Sequence, residues 1–70
     1  MDDPLPRVAA NLRRLREQAG LTQDALAQRA SMDASELRRI EGARRDPGVR
    51  VVTRLARGLG VSVSELFDGV

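Results

Sequence analysis

Residues 22–41 read TQDALAQRASMDASELRRIE, two stretches of helical period separated by a three-residue gap. Thr22 is a capping side chain ahead of a helix whose apolar face is Ala25, Leu26 and Ala30. Ser31-Met32-Asp33 supplies the turn, with Asp33 as a second capping side chain. A second helix is expected from about Ala34 to Glu41, burying only Leu37 and Ile40. That leaves Ala34, Ser35, Glu36, Arg38 and Arg39 for something outside the protein. Helices this short, joined by a turn this tight, cross steeply, so the second protrudes while the first braces it. A protruding, polar, arginine-bearing helix is the shape that enters a DNA groove.

The flanking sequence extends the same pattern. Residues 1–6 carry Asp2, Asp3, Pro4 and Pro6 and read as a flexible lead-in to a domain over 7–70. A first helix starts near Pro6 or Arg7. Val8, Leu12, Leu15 and Ala19 form its apolar stripe, Asn11, Arg13, Arg14 and Glu17 lie mostly outside, and Gly20 stops it. Leu21 is a candidate staple before Thr22. Residues 42–48, GARRDPG, read as a loop with two exposed arginines. A fourth helix over about Val49–Leu59 turns Val52, Leu55, Ala56 and Leu59 inward and ends at Gly60. Ser62 and Glu65 have capping-box spacing ahead of a short fifth helix carrying Leu66 and Phe67. The expected fold class is all-α, a compact five-helix domain with no repeat.

Composition narrows the chemistry. Seventy residues make one domain with a thin core, one that buries only about 60% of the unfolded chain's surface. Self-association is therefore a reasonable expectation. Phe67 is the single aromatic, so stacking platforms for unpaired bases are missing. With no Cys and no His, thiolate nucleophiles, disulfides, the usual zinc ligands and the proton shuttle best suited to neutral pH are absent. No enzyme, metal or cofactor is expected. The formal charge is +2, yet Leu5–Phe67 holds all twelve arginines against seven carboxylates. The body is basic, and arginine favours bidentate contacts with phosphate or guanine. A GC-rich genome would impose the same bias without functional meaning. The acidic, proline-bearing start is unlike a secretory leader, and no apolar run approaches the roughly 20 residues of a membrane span. A soluble, cytoplasmic protein is expected.

From Leu12 to Phe67 the chain resembles the phage repressor and Cro type of helix-turn-helix domain, the XRE family. The resemblance lies in GLTQ at Gly20–Gln23, Leu26-Ala27, RIE at Arg39–Glu41, the loop with Arg44, Arg45 and Pro47, and LARGLGVSVSELF at Leu55–Phe67, with no insertion between them. It implies the lambda-repressor-like fold and double-stranded operator DNA as partner, bound by a homodimer at the nucleoid. It also implies roles for individual residues. Gln23 matches the glutamine that anchors a helix end to phosphate. Ala34, Ser35 and Arg39 match the positions that reach base edges, with Arg38 beside them. Arg44 and Arg45 match loop residues that lie along the phosphate backbone, and Arg16 and Glu41 match a structural salt bridge.

The chain departs from that family in three places. Ser31 stands where relatives commonly carry glycine, Gly42-Ala43 inverts the usual order of a polar residue before glycine, and Glu36 puts a negative charge on the face that should meet DNA. The inversion predicts a helix that exits one residue early. Glu36 has two readings, an acceptor for cytosine N4 or a partner for nearby arginines. Val51, Val61 and Val63 are dimer candidates if exposed and ordinary core otherwise. Arg13 and Arg14 read as a solvated helix face, and Arg50, Arg54 and Arg57 as solvated or at the dimer edge, rather than as DNA contacts. Two rival functions stay open. One is an antitoxin or restriction-modification controller with a protein partner. The other is a protein-interaction module that binds no DNA, since helix-turn-helix shapes also occur away from nucleic acid.

Overall fold

The computed structural model describes residues 2–70. Five helices follow one another: α1 (Leu5–Gln18), α2 (Gln23–Arg29), α3 (Ala34–Glu41), α4 (Gly48–Leu59) and α5 (Val63–Leu66). There is no strand among the described residues, and no helix is long and apolar enough to cross a membrane. Helix α1 begins earlier than expected, with Pro6 inside its first turn, where a missing N–H costs nothing. Leu5 and Pro6 are thus helix rather than lead-in; Met1, also part of that expected segment, lies outside the described residues.

The core is aliphatic. Leu12, Leu26, Leu37, Ile40, Leu55 and Leu66 are its largest fully buried side chains. Helix α2 packs on α3 and α4, α1 on α3 and α5, and α4 on α5. At Gly58 the approach of α2 is so close that a Cβ would meet the Leu26 side chain at 3.2 Å. Two expectations for α1 fail. Ala19 is exposed. Asn11 is buried and its Nδ2 donates to the carbonyls of Leu66, at 3.0 Å, and Asp68, at 2.8 Å. A polar side chain is tolerated inside because it satisfies carbonyls that α5 leaves open at its end.

Four helix ends close in the same way. After α1, α2, α3 and α4 one residue turns left-handed, and the amide following it donates to a carbonyl five residues back: Leu21 to Arg16, Met32 to Ala27, Arg44 to Arg39 and Val61 to Ala56. This is the Schellman closure. Glycine takes the left-handed position at Gly20 and Gly60, whereas Ser31 (φ 55°) and Ala43 (φ 56°) take it at the ends of α2 and α3. Helix α3 therefore does not exit early. Gly42 stays at φ −84°, and Ala43 absorbs the strain that glycine would avoid. At the helix starts, Thr22 Oγ1 accepts from the Ala25 amide at 3.0 Å and Ser62 Oγ from that of Glu65 at 3.3 Å. Asp33 precedes α3 without a side-chain capping bond, contrary to expectation.

One ion pair ties α1 to the end of α3. Arg16 Nε donates to Glu41 Oε2 at 2.7 Å and a terminal nitrogen to Oε1 at 3.1 Å, while the other terminal nitrogen donates to the Leu21 carbonyl at 2.8 Å. The side chains are only 12% and 4% exposed. The hydrogen bond that Arg16 donates to Glu41 raises the Arg16 pKa against the opposing pull of desolvation. A raised folded-state pKa means that this contribution is complete below the ordinary arginine range and is lost only as pH climbs beyond it, so the cation persists at any physiological pH.

Two stability measurements follow. Thermal unfolding of Ala43→Gly should show a gain of about 0.5–1 kcal/mol, the left-handed penalty relieved less the extra chain entropy of glycine; an unchanged or lower midpoint would contradict the strain at Ala43. Glu41→Ala leaves a poorly solvated guanidinium, and chemical denaturation should register a loss of about 3 kcal/mol, whereas a loss below about 0.5 kcal/mol would place the pair among ordinary surface pairs.

Candidate nucleic-acid interface

Helix α3 turns two apolar side chains into the core and presents its opposite side outward. Leu37 and Ile40 are fully buried, and their spacing puts Ser35, Arg38 and Arg39 on the opposite side, where all three are exposed. Ala34 is half-buried and packs against the core. Of the four residues singled out for base edges, three therefore share an open stripe, and Ala34 sits at its inner edge. Arg38, Arg39 and Arg44 have no carboxylate within ion-pair distance among the described residues. Their charge is uncompensated.

The residues matched to the phosphate backbone lie at both ends of this helix pair. Arg44 and Arg45 occupy the exposed loop between α3 and α4. At the start of α2, the Gln23 side chain is half-buried and its Nε2 donates to Glu41 Oε1 at 3.1 Å. Glu41 thus receives Arg16 and Gln23 together, so one carboxylate holds the start of α2 and the end of α3 in register. Gln23 Nε2 carries two protons, and the bond to Glu41 uses one.

Two further contacts border this surface, and the first matches one of the two readings of Glu36, a partner for nearby arginines. Glu36, in the first turn of α3, accepts from Arg45 Nε at 3.3 Å. Arg54 of α4 donates to the Ser31 carbonyl at 3.4 Å, across the turn between α2 and α3. Partners nine and twenty-three residues apart share no helical period, so no local pattern joins them; only the surplus of nearby arginines hinted at a partner for Glu36. Among the described residues no group of histidine, cysteine or carboxylate side chains could hold a metal ion.

Away from this face, the dimer candidates separate. Val51 and Val61 are half-buried against the core and belong to its margin. Val63 is 40% exposed and lies beside Phe67 at 41% and Val49 at 83%. These three line an open groove of about 350 Å³ together with Leu5 and Val8 of α1, and with Asp3 and Asp46.

Comparison with known proteins agrees with this geometry. Residues 7–67 match the model of a helix-turn-helix domain family. The chain is 41% identical over 59 residues to the uncharacterized HTH-type transcriptional regulator y4dJ of Sinorhizobium fredii, covering 84% of this chain and 77% of that protein. Among solved structures it is similar to the restriction-modification controller protein C.AhdI from Aeromonas hydrophila, with a TM-score of 0.87 at 31% identity over 89% of this chain and 94% of that one. The wild-type restriction-modification controller protein C.Esp1396I superposes with a TM-score of 0.87 at 25% identity, over 97% and 88% of the two chains. With its motifs, its five-helix architecture and these relatives in agreement, the chain belongs to the helix-turn-helix family of DNA-binding transcription regulators.

Proposed function

We propose that the protein binds double-stranded DNA sequence-specifically with α3 in the major groove, as a homodimer on a partial palindrome. The observation that carries this reading is the outward stripe of α3, where Ser35, Arg38 and Arg39 are exposed and both arginines are unpaired. Arg39 is the principal reader. Its fork matches O6 and N7 of guanine, worth roughly 1–3 kcal/mol of discrimination. Ser35 touches a base or a phosphate, and Ala34 offers a methyl at the margin of the stripe. Gln23, Arg44 and Arg45 set the register on phosphate, which supplies affinity more than information. The reading contains no catalytic step and no cofactor, and places the protein in the cytoplasm at the nucleoid.

Dimer formation is assigned to the apolar groove rather than to Val51 and Val61. Val49, Val63 and Phe67 are exposed apolar side chains that line one groove, the kind of surface that a partner can cover. Two dyad-related α3 helices then lie about 34 Å apart, on half-sites ~10 bp centre to centre. A second reading, control of restriction-modification genes, is favoured by the near full-length match to C.AhdI. It shares the DNA-binding face and differs in the genes served.

Duplexes selected from a random library, titrated against salt, test this. A dimer that neutralises six to eight phosphates should show a slope of log affinity on log salt near −5 to −7, and a slope shallower than about −2 would refute the contact set. Arg39→Ala should erase most of the preference for the selected duplex over a scrambled one; an unchanged preference assigns reading elsewhere. Reversing charge at Arg44 and Arg45 together should abolish DNA binding, whereas a protein-interaction module working through its apolar groove would be indifferent. For the dimer, Val63→Glu should give a monomer by sedimentation while remaining folded, and an intact dimer would remove the groove from the interface.

A further inference from the structure

The DNA-facing surface contains one carboxylate that the proposed contacts do not use. Glu36 lies in the first turn of α3, one helical turn before the buried Ile40, which places it on the flank of the helix rather than on the outward stripe. Its side chain is 29% exposed, against 53% for Arg45, and Oε1 receives the Arg45 Nε hydrogen at 3.3 Å. A carboxylate beside a phosphate backbone is repelled, so a DNA-binding face should discard it unless it does something there. The pair holds only one of the guanidinium's five donors. Both terminal nitrogens of Arg45 have no hydrogen-bond partner among the described residues. Arginine otherwise loses a large rotamer entropy on docking, and the bond at Nε removes part of that loss in advance.

We propose that Glu36 is a positioning residue: it fixes the Arg45 guanidinium through Nε and leaves the terminal nitrogens for one DNA phosphate, while its charge lowers affinity for DNA docked in any other register. In the correctly docked complex the two effects offset each other, because a pre-oriented Arg45 meets its phosphate. On non-cognate DNA the guanidinium is misaligned and only the repulsion remains. Glu36 thereby raises the ratio of specific to non-specific binding without touching a base. Its flanking position and its bond to Arg45 disfavour the other sequence-based reading, acceptance from cytosine N4. The inference rests on the proposed placement of α3 and the following loop against DNA.

The test measures affinity for a library-selected duplex and for a scrambled duplex with wild type, Glu36→Ala, Glu36→Gln, Arg45→Ala and the Glu36→Ala/Arg45→Ala double variant, each first checked for an unchanged melting midpoint. Glu36→Ala should tighten scrambled binding roughly three- to tenfold, the scale of one lost surface repulsion per subunit, without tightening selected binding. Glutamine keeps a carbonyl acceptor at the same reach. It should therefore tighten scrambled binding as alanine does but retain more affinity for the selected one. With Arg45→Ala in place, Glu36→Ala should tighten both duplexes by one common factor. Equal tightening on both duplexes in the wild-type background, by alanine and glutamine alike, would reduce Glu36 to bulk charge and overturn the proposal, as would no change on either. A wild-type protein that binds neither duplex in a salt-dependent way would show in its own arm that the DNA-facing reading itself had failed.

Discussion

Everything that α3 does depends on the carboxylate of Glu41. An eight-residue helix is too short to persist alone in water, and Leu37 and Ile40 fix only its inner side. Two hydrogen bonds from Arg16 and one from Gln23 converge on Glu41, fixing the end of α3 against α1 and the start of α2. The pair is nearly dehydrated, and a buried ion pair is weak evidence for stability because desolvation offsets much of the Coulomb gain. Its value here is directional. The remaining Arg16 nitrogen also binds the carbonyl of Leu21, so α1, the loop before α2, α2 itself and α3 meet at one site, and the exposed stripe is held at a set angle to the body.

Charge is distributed with the same economy. The chain carries only two net positive charges, but its ion pairs lie away from the stripe or at its flank: Arg13 with Glu17 on the solvent side of α1, Arg16 with Glu41 inside, and Arg45 with Glu36 at the helix edge. Arg38, Arg39 and Arg44 are left uncompensated around the helix that protrudes. Local field, rather than net charge, is what a polyanion senses within a Debye length of about 10 Å.

Much of this was legible in the chain. Apolar period located the first four helices and capping-box spacing the fifth, Thr22 and Ser62 marked two starts through capping oxygens, and Gly20 and Gly60 marked two ends. The misses have physical causes. Asn11 was read as exposed from its polarity, yet its partners are carbonyls fifty-five and fifty-seven residues away, beyond any local pattern. Asp33 had the right residue type for a cap and makes no capping bond. Ala43 hides a left-handed turn because closure by backbone hydrogen bonds overrides its intrinsic reluctance, whereas Ser31, standing where relatives carry glycine, takes the left-handed conformation that this position implies. The dimer candidates were valines of similar appearance, and exposure separates Val63 from Val51 and Val61 only after α4 and α5 are packed. For the site, the resemblance supplied roles residue by residue, while packing decided which of those side chains are free to act.

The central claim is that α3 reads the major groove through Arg39. Guanine N7 methylation protection probes that groove directly, because N7 is exposed nowhere else in the duplex. On a selected duplex, the account predicts two protected patches about one helical turn apart, each containing a guanine that becomes accessible again with Arg39→Ala while the others stay protected. Binding without any N7 protection, or protection that Arg39→Ala leaves intact, would contradict it.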